Sequence, residues 1–319
     1  MLLLCDFIQS ERKLDVNTQK PPVPVPLLML IGIVAVSFSA IFIKWSAAPA
    51  SVQGMYRLLF TSLLMLPFAR PYSGAACALR RKDWLLLGAS GMLLALHFLL
   101  WMGSLKYTSV ASSTMIMALE PVFIMLGAYI LYKDRSTGAA ILGLAISIFG
   151  VVFIGWGDIG LSPDNLKGDL LSVGGTVAVA GHLLIGQRLV ARMPSYLYSL
   201  IVFISAAVIF AVYNMLAGIS FLNYPPREWG IFVLLAVVPT VFGHILFNWL
   251  LQFTSATTVS MNILGEPVGA SVLAFLLLGE QLTGLQWTGG VLVMVGLAVY
   301  LLSGRKKAVK VNESLQSAS

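Results

Sequence analysis

Two glutamates, Glu120 and Glu266, stand in the middle of long apolar segments, and each is followed directly by a proline, Pro121 or Pro267. An isolated charge at the centre of a bilayer costs at least about 3 kcal/mol, so such a carboxyl group must be neutral, paired or in contact with water. Two interpretations are open. A protonated glutamate could donate to a carbonyl that the proline leaves without a donor, a purely structural role at a helix kink. Alternatively, the carboxyl groups line or gate a pathway through the membrane.

The segment around Glu120 occurs twice in the chain. Thr108–Asp134 aligns without a gap on Thr254–Glu280 at a spacing of 146 residues, with eight identical positions that include the Glu-Pro pair. A weaker match, at a spacing of 143, pairs Val34–Val36 with Val177–Val179. The 146-residue spacing continues into three downstream glycines, Gly138, Gly143 and Gly150, which fall on Gly284, Gly289 and Gly296. A helix pair, rather than a single motif, has therefore been duplicated.

Two halves with a Glu-Pro pair in the middle of the fourth and ninth spans resemble the EamA family of the drug/metabolite transporter superfamily. The resemblance covers about residues 27–303. It implies ten helices in two homologous five-helix halves. It also implies a secondary transporter that exports small organic metabolites, such as amino acids, or drugs.

The composition independently indicates an integral membrane protein. The 319 residues are 58% hydrophobic and 10% charged, against roughly 25% charged in a soluble domain. A bilayer core of about 30 Å requires about 20 apolar residues per helix. Such runs predict an all-α protein with ten transmembrane helices, at about residues 27–44, 53–69, 84–103, 109–132, 138–155, 168–189, 196–216, 229–251, 256–278 and 284–302.

These spans divide the chain into four parts. Residues 1–26 are expected to form a cytoplasmic tail, 27–155 the first five-helix repeat, 168–303 the second, and 304–319 a polar, disordered cytoplasmic tail. An odd number of spans per repeat makes the two halves inverted copies. Inverted repeats are typical of transporters that bind substrate near the midplane and alternate access by rocking one half against the other.

The distribution of lysine and arginine predicts the orientation. With the amino terminus inside, fifteen of the 20 lysines and arginines fall on the cytoplasmic side and four on the opposite side, as the positive-inside rule requires. Both termini are therefore expected in the cytoplasm, at the plasma membrane. The net charge of +7 is explained by this asymmetry and by anionic lipid, so no nucleic-acid partner is expected.

The eighth span contains polar residues at successive four-residue steps, Thr240, His244, Asn248 and Gln252. On an α-helix this spacing produces a polar stripe along one face. The stripe either forms hydrogen bonds between helices, at about 0.6 kcal/mol per contact, or lines a water-filled pathway. We favour the pathway, because four steps exceed what a single helix contact needs.

Other polar residues are candidates for the same pathway. Asn262 lies four residues before Glu266 and is expected to share its face, whereas Ile116 is the counterpart beside Glu120. On this ground Glu266 is expected to be the transport-sensitive glutamate and Glu120 the more structural one. The remaining candidates are His97 and Trp101 in the third span and His182 in the sixth.

No metal site or cofactor is expected, because three histidines at unrelated positions without a nearby cysteine do not form a metal-binding set. Arg57, four residues into the second span, is expected to extend to the outer interface as an anchor, with binding of a substrate carboxylate as the minority interpretation.

Two further function classes stay open beside the transporter. A passive pore or lipid translocator is compatible with the same spans. A membrane-embedded enzyme is less favoured, because the sequence shows no concentrated set of nucleophile, base or metal ligands. The substrate, any proton or ion coupling and the oligomeric state are left open.

Overall fold

The structure, a computed structural model, describes residues 23–133, 137–156, 163–280 and 284–316. These parts of the chain are helical and contain no β-strand. The helices in chain order are α1 (Val25–Trp45), α2 (Ala50–Met65), α3 (Ser73–Cys77), α4 (Arg81–Ser104), α5 (Val110–Met117), α6 (Glu120–Tyr132), α7 (Gly138–Trp156), α8 (Pro163–Val190), α9 (Ser195–Leu216), α10 (Pro226–Leu235), α11 (Leu246–Leu250), α12 (Ala256–Ile263), α13 (Glu266–Leu278) and α14 (Gly284–Gln316). Two short 3₁₀ turns connect α2 to α3, and a π-helix, Ala236–Ile245, connects α10 to α11.

Several helices are suited to a bilayer. Within the described ranges six helices are long and apolar enough to cross a membrane, or seven if a pair bent by 79° counts as one span. Three shorter apolar helices are Glu120–Tyr132, Gly138–Gly150 and Trp287–Tyr300. Large apolar side chains stand on the outer surface, among them Leu216 at 80% exposure and Leu85 at 66%. Arg57 and many serines lie inside. The described part of the chain is helical, and the protein is an integral membrane protein.

Both Glu-Pro segments interrupt their helices. The α5/α6 and α12/α13 pairs have bounds that differ by 146 residues at every end, and the breaks fall at 118–119 and 264–265. The kink expected at each Glu-Pro pair is thus a break of two residues, while Ala256–Leu278 as a whole is still long and apolar enough to cross a membrane. Pro121 and Pro267 lie in the first turn of α6 and α13, where a missing N–H costs little because that donor has no intrahelical partner.

The close contact between α7 and α14 depends on small residues. A methyl group added at Gly143 would lie 2.7 Å from the carbonyl oxygen of Gly296, and one added at Gly150 would lie 2.6 Å from that of Gly289. Between these contacts, Ser147 Oγ donates to the Val293 carbonyl at 3.3 Å. Residue numbers fall along α14 as they rise along α7, so the two helices cross in antiparallel directions with their backbones nearly touching.

The predicted eighth span is not a regular α-helix. Pro239 lies inside the π-helix, and Thr240 Oγ1 donates to the carbonyl of Leu235, five residues earlier, at 2.7 Å. A proline removes one backbone donor and collides with the preceding turn, which widens the helix locally. The four-residue steps from Thr240 to Gln252 therefore do not form one straight stripe, and Gln252 falls in the turn after α11.

The carboxyl-terminal helix is longer than expected. A disordered tail was expected from residue 304, but α14 continues to Gln316. The added segment contains alanine, lysine, leucine and glutamate, which are strong helix formers. The first 22 residues of the expected amino-terminal tail lie outside the described part of the chain.

Candidate functional site

A cavity lies in the middle of the bundle, where α1, α4 and α8 meet the two interrupted helices and the π-helix. The volume open to the centre of a water-sized sphere is about 40 Å³. Its lining comprises Val36, Ser39, His97, Trp101, Met117, Glu120, Val179, His182, Leu183, His244, Phe247, Asn248, Ile263 and Glu266. Polar groups therefore converge inside a largely apolar shell, which is the usual character of a small-molecule site.

Most of the lining residues are related in pairs by the sequence repeat, with nearly the same number of residues between the two members of each pair. Six pairs contribute twelve of the positions: Val36 and Val179, Ser39 and His182, His97 and His244, Trp101 and Asn248, Met117 and Ile263, and Glu120 and Glu266. Their spacings are 143, 147 and 146 residues, two pairs at each. Twelve of the fourteen lining residues therefore have a counterpart from the other part of the chain; Leu183 and Phe247 have none.

The structure brings most of the predicted residues together. Seven of the nine pathway candidates line the cavity: His97, Trp101, Glu120, His182, His244, Asn248 and Glu266. The other two, Thr240 and Asn262, are buried in the helix packing nearby. Pro121 and Pro267 are the second residues of α6 and α13 and fix where those helices start.

Arg57 lies inside the bundle. It has 0% exposure, its Nε donates to Thr240 Oγ1 at 2.6 Å, and its Nη1 donates to Ser39 Oγ at 3.0 Å. Its guanidinium stacks on Phe98 at 4.2 Å from the ring centroid. The expectation that Arg57 anchors the chain at the outer interface is therefore wrong. Because Ser39 lines the cavity, the hydrogen bond to it places a cation beside the cavity.

The expectation that Asn262 faces the same way as Glu266 is also wrong. Its Nδ2 donates to the Thr258 carbonyl within α12 at 2.7 Å, and Asn262 is not among the residues that line the cavity. The physical reason is the break at 264–265, because a four-residue step aligns two side chains only along an uninterrupted helix.

Two polar atoms of lining residues have no hydrogen-bond partner among the residues that the structure describes. They are Nε1 of Trp101 and Oε1 of Glu120, and both side chains are 3% exposed. An unpaired buried donor or acceptor costs about 1–3 kcal/mol. The cavity thus presents one N–H donor and one oxygen acceptor to whatever occupies it.

The histidines have distinct environments. His97 Nδ1 lies 3.1 Å from the Gly175 carbonyl; because a carbonyl only accepts, this nitrogen is protonated and Nε2 is the acceptor. The His97 ring stacks on Trp101 at 5.8 Å and 4°. His182 Nδ1 lies 2.8 Å from Ser90 Oγ, which in turn contacts the Tyr198 hydroxyl at 2.7 Å. His244 meets the edge of Phe98 at 5.2 Å.

The candidate metal ligands do not form a set. Among the residues that the structure describes, no group of three or more His, Cys, Asp or Glu side chains is placed to hold a metal ion. The three histidines instead contact a carbonyl, a hydroxyl and an aromatic ring.

Sequence analysis missed Ser39 and the depth of Arg57. Ser39 is one of two serines in the otherwise apolar first span, and that isolated polarity was the available signal. Nothing in the sequence distinguishes the apolar lining residues from ordinary core residues. They are Val36, Met117, Val179, Leu183, Phe247 and Ile263.

Comparison with known proteins identifies the family. The model of the EamA-like transporter family matches residues 24–156 and 166–302. An uncharacterized transporter of Bacillus subtilis, YyaM, is 26% identical over 266 residues, which are 80% of this chain and 84% of that protein. A probable amino-acid metabolite efflux pump of Escherichia coli is 32% identical over 215 residues, 59% of this chain and 66% of that protein.

A solved crystal structure shares the fold. It superimposes with a TM-score of 0.71 at 18% sequence identity, and the match covers 88% of this chain and 97% of that one. Two family-model matches, which together cover most of the sequence, and relatives named as transporters agree with the helical architecture. The chain therefore belongs to the EamA-like transporter family and is a membrane transporter.

Proposed function

We propose that this transporter exports small organic metabolites by alternating access at the central cavity. The proposal includes ten transmembrane helices in two inverted repeats, residues 27–155 and 168–303, with both termini in the cytoplasm at the plasma membrane. The observation that supports it most is that the lining residues are related in pairs by the sequence repeat. Two related halves that meet at a midplane site are the design of alternating-access carriers.

The contact between α7 and α14 supports the inverted relation of the halves. In the repeat with a spacing of 146 residues, Gly143 corresponds to Gly289 and Gly150 corresponds to Gly296. It therefore exchanges the two glycine contacts with each other, while Ser147 bonds to its own counterpart, Val293. This behaviour is expected of a contact on a two-fold axis between antiparallel copies.

The chemistry of the cavity supports a substrate with an apolar body and at least two polar groups. Apolar side chains form much of the wall, while Trp101 Nε1 offers a donor and Glu120 Oε1 an acceptor. An amino acid or a related metabolite fits this pattern. The name of the E. coli relative, an amino-acid metabolite efflux pump, agrees with this class.

We also propose that the two glutamates differ in role. The expectation of a shared face with Asn262 does not support this difference, but the exposure of the two side chains does: Glu266 is half-buried at the cavity, whereas Glu120 is 3% exposed. A carboxyl group with more access to water is favoured in its ionised form relative to a fully buried one. Glu266 is therefore the transport-sensitive residue in this proposal, and the flux should fall more in Glu266→Gln than in Glu120→Gln. The reverse order would overturn the assignment.

The experiment that tests the carrier function uses purified full-length protein in liposomes. Metabolites that accumulate in cells lacking the protein supply the candidate substrates. A carrier shows saturable flux, and unlabelled substrate on one side accelerates the entry of labelled substrate from the other. Flux that rises linearly with concentration and shows no counterflow would indicate a passive pore. Movement of labelled phospholipid between leaflets would indicate a lipid translocator.

A second experiment tests the location of the site. Asn248 lines the cavity, whereas Phe242 on the preceding π-helix is 53% exposed on the outer surface. In a cysteine-free background, substrate should slow alkylation of Asn248→Cys and leave the rate at Phe242→Cys unchanged. Equal rates at Asn248→Cys with and without substrate would place the substrate elsewhere.

A further inference from the structure

A second cleft lies away from the central cavity, at one end of the bundle. It is lined by Ala75, Ala78, Leu79, Arg80, Asp83, Leu189, Arg192 and Met193. We call the apolar members the floor of the cleft and the charged members, Arg80, Arg192 and Asp83, its rim. None of these residues belongs to the central cavity, and transport as proposed above makes no use of them.

The cleft stands at the level of a membrane surface. α4 and α8 are both apolar enough to cross a bilayer, and the cleft lies between the first turn of α4 and the last turn of α8. The segment Arg70–Cys77 bends by 79° from the helix before it, so it turns away from the direction of that span. Tyr72 stacks on Tyr196 at 4.9 Å beside this segment, and tyrosine is enriched at membrane interfaces.

The rim has an excess of positive charge. Asp83 Oδ2 accepts from the backbone N–H of Arg80 at 3.1 Å, and its Oδ1 lies 3.5 Å from Arg192 Nη2. This ion pair is a single long contact, and the Arg192 side chain keeps 54% of its surface exposed. A guanidinium has five N–H donors in a fork that matches phosphate oxygens. One carboxylate therefore does not satisfy the two arginines.

We propose that this cleft binds an anionic phospholipid, with the headgroup phosphate between Arg80 and Arg192 and an acyl chain on the apolar floor. Basic pockets between transmembrane helices at the membrane surface bind anionic headgroups for this electrostatic reason. Ala78 is exposed and Ala75 and Leu79 are half-buried beside the buried Leu189 and Met193, so the floor offers apolar surface to an acyl chain. The floor distinguishes a lipid from free phosphate, which would use the rim alone.

The test measures lipid retention by the purified full-length protein with native mass spectrometry. Phosphatidylglycerol is compared with phosphatidylcholine, and inorganic phosphate is added as a competitor. The wild type should retain phosphatidylglycerol over phosphatidylcholine. The double variant Arg80→Gln/Arg192→Gln should lose about fivefold in affinity per arginine, or about 30-fold together.

Two further variants separate a bound headgroup from general charge or folding effects. Arg81→Gln/Lys82→Gln removes the same charge outside the rim and should change phosphatidylglycerol affinity little. Asp83→Asn removes the acid from the rim and should leave phosphatidylglycerol binding equal or tighter. A structural role of the rim predicts the opposite sign for Asp83→Asn, so this variant decides the matter even if the double arginine variant does not fold.

Three results would overturn the proposal. One is equal loss of binding in Arg81→Gln/Lys82→Gln, which would show diffuse charge attraction. Another is weaker binding in Asp83→Asn. The third is full displacement of phosphatidylglycerol by millimolar inorganic phosphate, which would show a free-anion site. None of these readouts depends on transport, so their failure leaves the proposed transport function unaffected.

Discussion

The guanidinium of Arg57 is surrounded by protein on every side, between Thr240, Ser39 and the face of Phe98. A buried charge of this kind is stable only when contacts within the protein compensate for its lost hydration. Thr240 and Ser39 accept its two hydrogen bonds, and Ser39 also lines the cavity. The arginine therefore fixes the local electrostatics of the cavity without being part of its lining.

Loss of the Arg57 guanidinium should destabilise the protein. We expect Arg57→Gln to lower the free energy of unfolding by on the order of 3 kcal/mol, because it removes two buried hydrogen bonds and the contact with Phe98. Unfolding of purified protein in mixed micelles, followed by circular dichroism, measures this change. Arg70→Gln, at an exposed position, is the control for charge. Equal stability of the two variants would show that the buried contacts of Arg57 contribute nothing to folding.

Trp101 offers a test of substrate contact that leaves folding intact. Trp101→Phe keeps an aromatic ring to stack on His97 but removes the Nε1–H that has no partner within the protein. We expect the stability to stay unchanged or to rise by about 1 kcal/mol, and the half-saturation concentration for substrate to rise on the order of tenfold. Counterflow and thermal unfolding provide the two measurements. Trp84→Phe, at a position that is 49% exposed, should change neither.

Residue types and their spacing predicted most of the polar residues that line the cavity. They did not predict how far Arg57 lies from the end of its helix. The Glu-Pro pairs and the three histidines are rare polar residues in apolar spans, and all five polar side chains line the cavity. Arg57 was misplaced because the second helix starts at Ala50 and not near Gln53, so the arginine lies about 10 Å along the helix. Residue position relative to an uncertain helix end is a poor measure of depth.

The interrupted helices are the elements that give the cavity its form. α6 and α13 begin at Glu120 and Glu266, so the positive ends of both helix dipoles face the carboxyl groups. Hydropathy averages over such a break, because apolar residues continue on both sides of it. The sequence therefore predicted the two membrane-length segments and their 146-residue register, but not that each consists of two helices.

The crossing of α7 and α14 tolerates no added atoms. We expect Gly143→Ala to lower stability by about 1–3 kcal/mol, because the new methyl group meets the backbone of Gly296. Gly138→Ala is the matched control, since no heavy atom lies within 4 Å of a methyl group at that position. Thermal unfolding of both variants in one detergent makes the comparison. Equal midpoints for the two would mean that the helices can separate without cost.

Orientation is a property of the whole molecule, and labelling from one side of the membrane measures it. Asn223 lies in the loop before α10 and Ala191 follows α8, and both are exposed. In a cysteine-free background, an impermeant thiol reagent added outside intact cells should modify Asn223→Cys and not Ala191→Cys. The reason is the excess of lysine and arginine at the Ala191 end. Permeabilised cells, in which both positions should react, are the control, and the reverse pattern would invert the proposed topology.

The glycine contact between α7 and α14 also sets an order of events during synthesis. Gly150 and its contact Gly289 are 289 − 150 = 139 residues apart in the chain, and ribosomes add about 5–20 residues per second. The groove on α7 therefore waits for roughly 7–30 s before its partner helix exists. A chain stopped before α14 leaves this groove of backbone atoms without the helix that fills it.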